Sequence, residues 1–376
     1  MKINFLIILC LVMIAGCRQP FIPPMDDYES SLVVDGMISN EPGPYTINLS
    51  KSQPLDQDSL IPYPGCRVTI LENSGNSEVL TEVGEGIYQT SSGGIQGEVG
   101  HAYRITIETP GGDSYETDYV KIRQPVEIDT VYGEADNPKF NAWPEGLPGI
   151  RFYIDTRPAD EDSTFFLWKL IETYEYTADF MISVVYQDYR FQPFPSDSLY
   201  RCWHTRPIRE IHVSQTSGLS EPKLSRHPLH FVGTDNKKLT NRYSLLVKQY
   251  TIDKRAYEFW NRIEEQIAGE HFFFARQPYQ IKGNVYNPDK PDELVRGYFT
   301  VGSVSTMRIF MDKPFSEFNF PMCSLNFDLR YINIEPPESW PIFLKWQDGN
   351  LGKASKKCFD CRLSGGKLTP PEFWKD

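Results

Sequence analysis

Cys17 is the residue whose surroundings most directly predict chemistry. An apolar run behind Lys2 ends in Ile14-Ala15-Gly16, and the cysteine follows at once. Small residues leading into a cysteine at the end of a short secretory leader form a bacterial lipobox. There the thiol is acylated and the chain is cut before the cysteine. The leader is too short to serve as a permanent membrane span.

Five further cysteines remain after the leader and the anchor: Cys66, Cys202, Cys323, Cys358 and Cys361. Cys358-Phe359-Asp360-Cys361 invites three chemistries. A redox pair opens a helix after a strand, where the helix dipole lowers a thiol pKa. Here Arg362-Leu363-Ser364-Gly365-Gly366 follows, which is a poor helix start. A zinc site would recruit Cys202 and Cys323 as the remaining ligands. An oxidising envelope favours the third chemistry, two structural disulfides among Cys202, Cys323, Cys358 and Cys361. Their connectivity stays open, and Cys66, at the start of an apolar strand, is the expected odd thiol.

The six histidines hold one close pair, His227-Pro228-Leu229-His230. Pro228 argues against the helix that would let both rings share a metal. The chain has no His-Glu-x-x-His, no Walker loop, no Gly-x-Ser-x-Gly elbow and no dinucleotide fingerprint. Carboxylates are plentiful, but no spacing singles out a glycosidase pair. The aromatic and acidic stretch from Phe191 to Trp203 is a candidate ligand surface, with sandwich packing as the simpler reading. The expectation is therefore no catalytic residue, no metal and no cofactor.

The elements that would position these residues are mostly strands. The 376 residues include 21 Tyr, 23 Phe and 7 Trp, with 26 Gly and 29 Pro to make turns. Cleavage removes Lys2 and leaves 37 basic against 50 acidic side chains, a formal charge of −13. That charge repels nucleic acid and anionic headgroups. Residues 18–30, with Pro20, Pro23, Pro24 and an acidic patch, read as a tether reaching ~40 Å from the anchor.

From Leu32 onward, short alternating segments predict strands at 32–38, 45–50, 66–72, 79–83, 88–90, 103–108 and 114–122. Longer ones follow at 149–156, 165–176, 181–191, 209–215, 242–251, 279–286 and 295–311. One segment is helical: Ala256, Trp260, Ile263 and Ile267 make a single face within 253–269. Asp253 is its N-cap, Gly269 its terminal glycine, and Glu258–Arg262 an i,i+4 pair. The fold class is therefore all-β with one helix. An immunoglobulin-like or transthyretin-like sandwich is expected over 31–125. A second sandwich-like domain with the helical insertion follows over 126–331, then a loop-like segment over 332–376. No second apolar run is long enough to cross a membrane.

Several stretches together resemble one family. They are Leu32-Val33-Val34-Asp35-Gly36, Ile47-Asn48-Leu49-Ser50, Cys202-Trp203, Arg242 to Tyr250, Ala256-Tyr257-Glu258-Phe259-Trp260, Gly283-Asn284-Val285 and Gly297-Tyr298-Phe299. The terminal Cys358-x-x-Cys361-Arg362 with Gly365-Gly366 and Phe373-Trp374 completes the set. In that pattern the chain resembles the Bacteroidetes lipoprotein family called domain of unknown function 4249. Thr369-Pro370-Pro371-Glu372 departs from the Lys-Pro step usual before the final aromatic residues.

The resemblance implies an outer-membrane lipoprotein that accompanies a TonB-dependent receptor, with no catalytic residue to carry over. The favoured expectation is a non-enzymatic, lipid-anchored accessory protein that binds a ligand or partner. An envelope hydrolase acting on glycan or peptide and a purely structural interaction module are the alternatives. Arg18 and Gln19 after the anchor lack the acidic residue linked to inner-membrane retention. The outer membrane is thus expected, on either face.

Overall fold

The computed structural model describes residues 30–53, 60–136, 146–158, 164–194, 197–269, 281–315 and 317–375. Cys17 and the tether as far as residue 29 lie outside the described residues.

The chain opens with β1 (Leu32–Ile38), β2 (Thr46–Lys51), β3 (Ile61–Pro62), β4 (Arg67–Glu72), β5 (Ser77–Val79), β6 (Thr81–Gly84), β7 (Ile87–Gln89), β8 (Ala102–Glu108), β9 (Ser114–Glu116) and β10 (Val120–Lys121). There follow β11 (Ile128–Asp136), β12 (Gly149–Thr156), β13 (Phe165–Thr177), β14 (Val184–Gln187), β15 (Arg190–Pro193), β16 (Arg201–Gln215), β17 (Leu224–Gly233) and β18 (Arg242–Ile252). Helix α1 (Lys254–Gly269) precedes β19 (Arg296–Asp312), β20 (Ile342–Gln347) and β21 (Asn350–Lys353).

One long sheet organises the molecule, in the order β16-β13-β18-β19-β1-β2-β7-β6 with β3 beside β2. Strands β1 and β19 pair in parallel, Val34 opposite Gly297 and Ile38 opposite Val301. The long sheet therefore joins strands from both sides of the boundary expected between residues 125 and 126. On one face, Val34, Ile38, Ile47, Phe299 and Val301 pack against Val68, Ile70, Ile105 and Ile107 of the sheet β10-β8-β4-β5. Farther along, Trp168, Leu170, Leu245 and Val247 meet Phe152, Ile154 and Leu229 of the sheet β11-β12-β17. Phe299, Val301, Met307 and Ile309 share a parity on β19, so both cover sheets lie on the same side. The two sandwiches thus share a common floor, and the all-β class with one helix is what forms.

Helix α1 occupies the opposite face. Asp253 caps it by accepting the Ala256 amide at 2.8 Å. Ala256 and Phe259 are buried against Phe165, Leu167, Tyr250 and Tyr298. The apolar face is rotated from the expected one: Phe259 is deeply buried, Trp260 only half-buried, and Ile267 is 49% exposed. Glu258 pairs back to Lys254 at 3.7 Å.

Other departures have local causes. The expected strand at 114–122 is broken into β9 and β10, and 79–83 is interrupted between β5 and β6. The strand expected at 279–286 is no strand over 281–286. Tyr286 alone bridges to Glu116, and residues 279 and 280 lie outside the described residues. The segment expected to be loop-like beyond residue 332 is corrected as well. Its β20 and β21 complete a four-stranded sheet, β15-β14-β20-β21. Pro341 and the short Ile342-Phe343-Leu344 run hide β20 in the sequence, because its partner β14 lies far upstream.

The junction of the two halves is built on close backbone approach. Gly297 has φ +79°, and a Cβ there would stand 2.0 Å from the Val34 carbonyl oxygen. A Cβ on Gly283 would stand 1.9 Å from the Gly297 oxygen. Between them, the Asn284 side chain accepts the Phe299 amide at 2.9 Å and donates to the Phe299 carbonyl at 2.8 Å. It thereby replaces a missing ladder strand.

Gly297→Ala should lower unfolding free energy by at least about 3 kcal/mol, because backbone strain and a backbone clash coincide. Gly112→Ala supplies the control: its φ is +86° but nothing lies within 4 Å of the added methyl. That variant should cost only about 1 kcal/mol. Urea unfolding of both variants checks the difference, and equal losses would refute the role of the junction.

Candidate functional site

The edge strand β16 leaves its register with β13 at one point. Trp168 stands opposite His212, yet Leu170 stands opposite Ile208. Arg209, Glu210 and Ile211 therefore face the single residue Lys169, a bulge with two extra residues that bends the edge outward. The space it opens is a cleft of about 840 Å³ between the sheet β11-β12-β17 and the C-terminal half of α1.

Two carboxylates organise this cleft. Glu172, fully buried on β13, receives Arg206 at 2.6 Å, Lys238 at 2.9 Å and the Tyr243 hydroxyl at 3.0 Å. Burial alone would push its carboxyl up. Lys238 and Arg206 outweigh that and hold it below the usual carboxylate range. The same burial, with Glu172 alongside, raises the Tyr243 hydroxyl far above its ordinary value, so it remains a donor. Glu210, on the bulge, lies 2.9 Å from His230 Nδ1 and 3.4 Å from His212 Nε2. Burial opposes its ionisation, but these two imidazoles hold it well below the usual range.

A carboxylate beside an imidazole fixes the ring and is one element of a general base. Among the described residues, no serine or threonine hydroxyl and no thiol hydrogen-bonds to His212 or His230. The carboxylates Glu172 and Glu210 are each paired within the cleft.

The residues singled out by sequence are distributed as follows. His227 and His230 have different partners, His230 lying against Glu210. His227 stacks on Trp168 at 4.9 Å, and burial, with a smaller effect of His212, pushes it down to about 4, leaving it neutral. Cys202 is bonded to Cys361 and Cys323 to Cys358, so neither bond lies within the Cys-x-x-Cys. The first ties the C-terminal segment to β16. These bonds close loops of 159 and 35 residues, worth about 5 and 4 kcal/mol at most in the chain-entropy model. Asp179 lies beside Cys323 and Cys358, but with those sulfurs bonded to each other it serves Lys237 and the Cys323 amide instead. Cys66 is buried and free, and burial pushes its thiol up. Phe191 and Trp203 part company: the first is exposed on β15, the second half-buried on β16.

Sequence reasoning did not find Glu172, Lys238 or the bulge. The available signal was a carboxylate in the middle of an otherwise aromatic and aliphatic strand, Leu170-Ile171-Glu172-Thr173-Tyr174. A charge at such a position must be paired.

Compared with known proteins, the chain matches the family described as "Domain of unknown function (DUF4249)" over residues 18–308. The cleft and the β1–β19 junction fall inside that span, and the sheet strands β20 and β21 beyond it. No curated protein matches the chain.

Glu172→Gln should destabilise the fold at pH 7 by about 3 kcal/mol. That is the low end for removing one partner of a buried pair, since Arg206 is half in water. The folded-state pKa of Glu172 is depressed, so its contribution is present above the unfolded value near 4.3 and is lost as pH falls through the folded value. Melting curves of wild type and variant should therefore be far apart at pH 7 and converge below pH 4. A constant gap across that range would show that the carboxylate acts only through shape.

Proposed function

The chain belongs to the DUF4249 family, and from that premise we propose that it is a non-enzymatic, lipid-anchored accessory protein of the outer membrane. It binds a ligand or membrane partner beside a TonB-dependent receptor, with Cys17 as the lipidated residue. One observation supports this reading above the others. Two carboxylates of the cleft are committed to neighbouring groups, Glu172 to Arg206, Lys238 and Tyr243, and Glu210 to two histidines. A cleft so arranged offers a preformed shape and fixed dipoles for recognition. Pro207 and the bulge also blunt the β16 edge against strand addition.

The second reading is an envelope hydrolase, favoured by the Glu210–His230 contact at 2.9 Å. A carboxylate-oriented imidazole is a plausible base for glycan or peptide cleavage.

Cys17→Ser should move the body from the membrane fraction to the soluble fraction or stop its maturation, whereas the wild type sediments with membrane. The lipidated protein, solubilised in maltoside detergent, should co-purify with a TonB-dependent receptor. Failure to recover any outer-membrane transporter would overturn the partnership. Turnover of a glycan or peptide library, abolished by Glu210→Gln, would replace the binding reading with the hydrolase.

A further inference from the structure

The face of the long sheet that carries α1 contains a cross-strand pair of like charges. Lys169 on β13 stands directly opposite Lys248 on β18. Like charges so placed destabilise a sheet. Lys248 is neutralised: it donates to both carboxylate oxygens of Glu41, each at 2.9 Å. Lys169 is not. Among the described residues no carboxylate stands within ion-pairing distance of it, and its ammonium lies 5.8 Å from the centroid of the Tyr250 ring. Asp35 and Glu41 act on it only at longer range.

The β16 bulge leaves Arg209 beside this position, and it too has no ion pair among the described residues. Lys169 and Arg209 both line a cavity of about 340 Å³ under α1. Lys248 and Glu210, the latter engaged by His230, also line it, and its remaining walls are mainly apolar, with Leu167, Ile208, Ile211 and the half-buried Trp260. In a chain of net charge −12, these two cations are solvent-exposed at the cavity rim, unpaired among the described residues and therefore free to receive an anion.

We propose that this cavity binds an amphiphilic anion, its carboxylate or phosphate monoester group held between Lys169 and Arg209 and its apolar part laid along Leu167, Ile208, Ile211 and Trp260. Arg209 supplies a planar fork and Lys169 a point charge, a combination suited to either oxyanion. The apolar walls give the second half of the selectivity, since the neutral part of the ligand displaces water from them. This inference deepens the binding function proposed above and rests on it.

Isothermal titration of the full lipidated protein in maltoside detergent tests it, with 3-phenylpropionate and phenyl phosphate as probes. Both should bind saturably at one site, and the stronger of the two identifies which oxyanion the site prefers. Neutral 3-phenylpropan-1-ol and inorganic phosphate should bind at least tenfold more weakly, and added NaCl should weaken both aromatic anions. Lys169→Met should reduce binding at least tenfold, and Arg209→Gln several-fold. In the unliganded protein, Lys169→Met should raise the melting temperature, because the like-charge pair is gone. Equal binding of the alcohol and the anions, undiminished binding to folded Lys169→Met, or inorganic phosphate binding as well as phenyl phosphate would each overturn the proposal. Loss of anion binding alongside retained co-purification with a receptor would sink this inference and leave the accessory function standing.

Discussion

The parallel pairing of β1 with β19 is the constraint on which the rest of the structure depends. Through it the N-terminal strands and the later long strands become one sheet, and two cover sheets can share a single floor. The pairing tolerates little variation. Val34, Gly297 and Gly283 approach so closely that Cβ atoms at the two glycines would strike backbone, and Asn284 must stand in for a ladder strand. Sequence position alone does not suggest that Gly283-Asn284-Val285 and Gly297-Tyr298-Phe299 belong together. Their meeting explains why both belong to the pattern by which the chain resembles its family.

The long sheet handles charge differently on its two faces. Strand β13 carries a lysine and a glutamate three residues apart, and they project to opposite faces. Glu172 enters the sandwich side and is surrounded by Arg206, Lys238 and Tyr243. Lys169 projects on the helix side, exposed, where Glu41 is already taken by Lys248. One strand thus presents a closed electrostatic site and an open one. The bulge in β16 separates them, because its extra residues clear space over Lys169 while Arg206 stays in register with Glu172.

What the sequence made legible follows from the range of the interaction. Alternation is local, so β1, β8, β12, β13, β18 and β19 were readable to within a residue or two, and so was the helix with its Asp253 cap. The helix face was misjudged by a small rotation, because Phe259 and Trp260 are adjacent and either can lead. Strand β17 escapes a local reading because Pro228, one arginine and two histidines interrupt its apolar signal. The cysteine pairing, the bulge and the cleft depend on which strands become neighbours, and no local pattern encodes that. Charged residues inside aromatic strands are the one signal of the site that the sequence carries.

The register of β1 against β19 also sets an order of events. A ribosome or a translocon releases β1 early, yet its parallel neighbour, starting at Arg296, emerges only when most of the chain has been delivered. Until then β1 has β2 on one side and an open edge on the other, and such an edge invites pairing with other chains. Contacts of this sequence separation also make folding slow. The nascent chain is therefore most exposed to aggregation in the interval before β19 arrives, and shielding of β1 during delivery matters more for its yield than the stability of the finished fold.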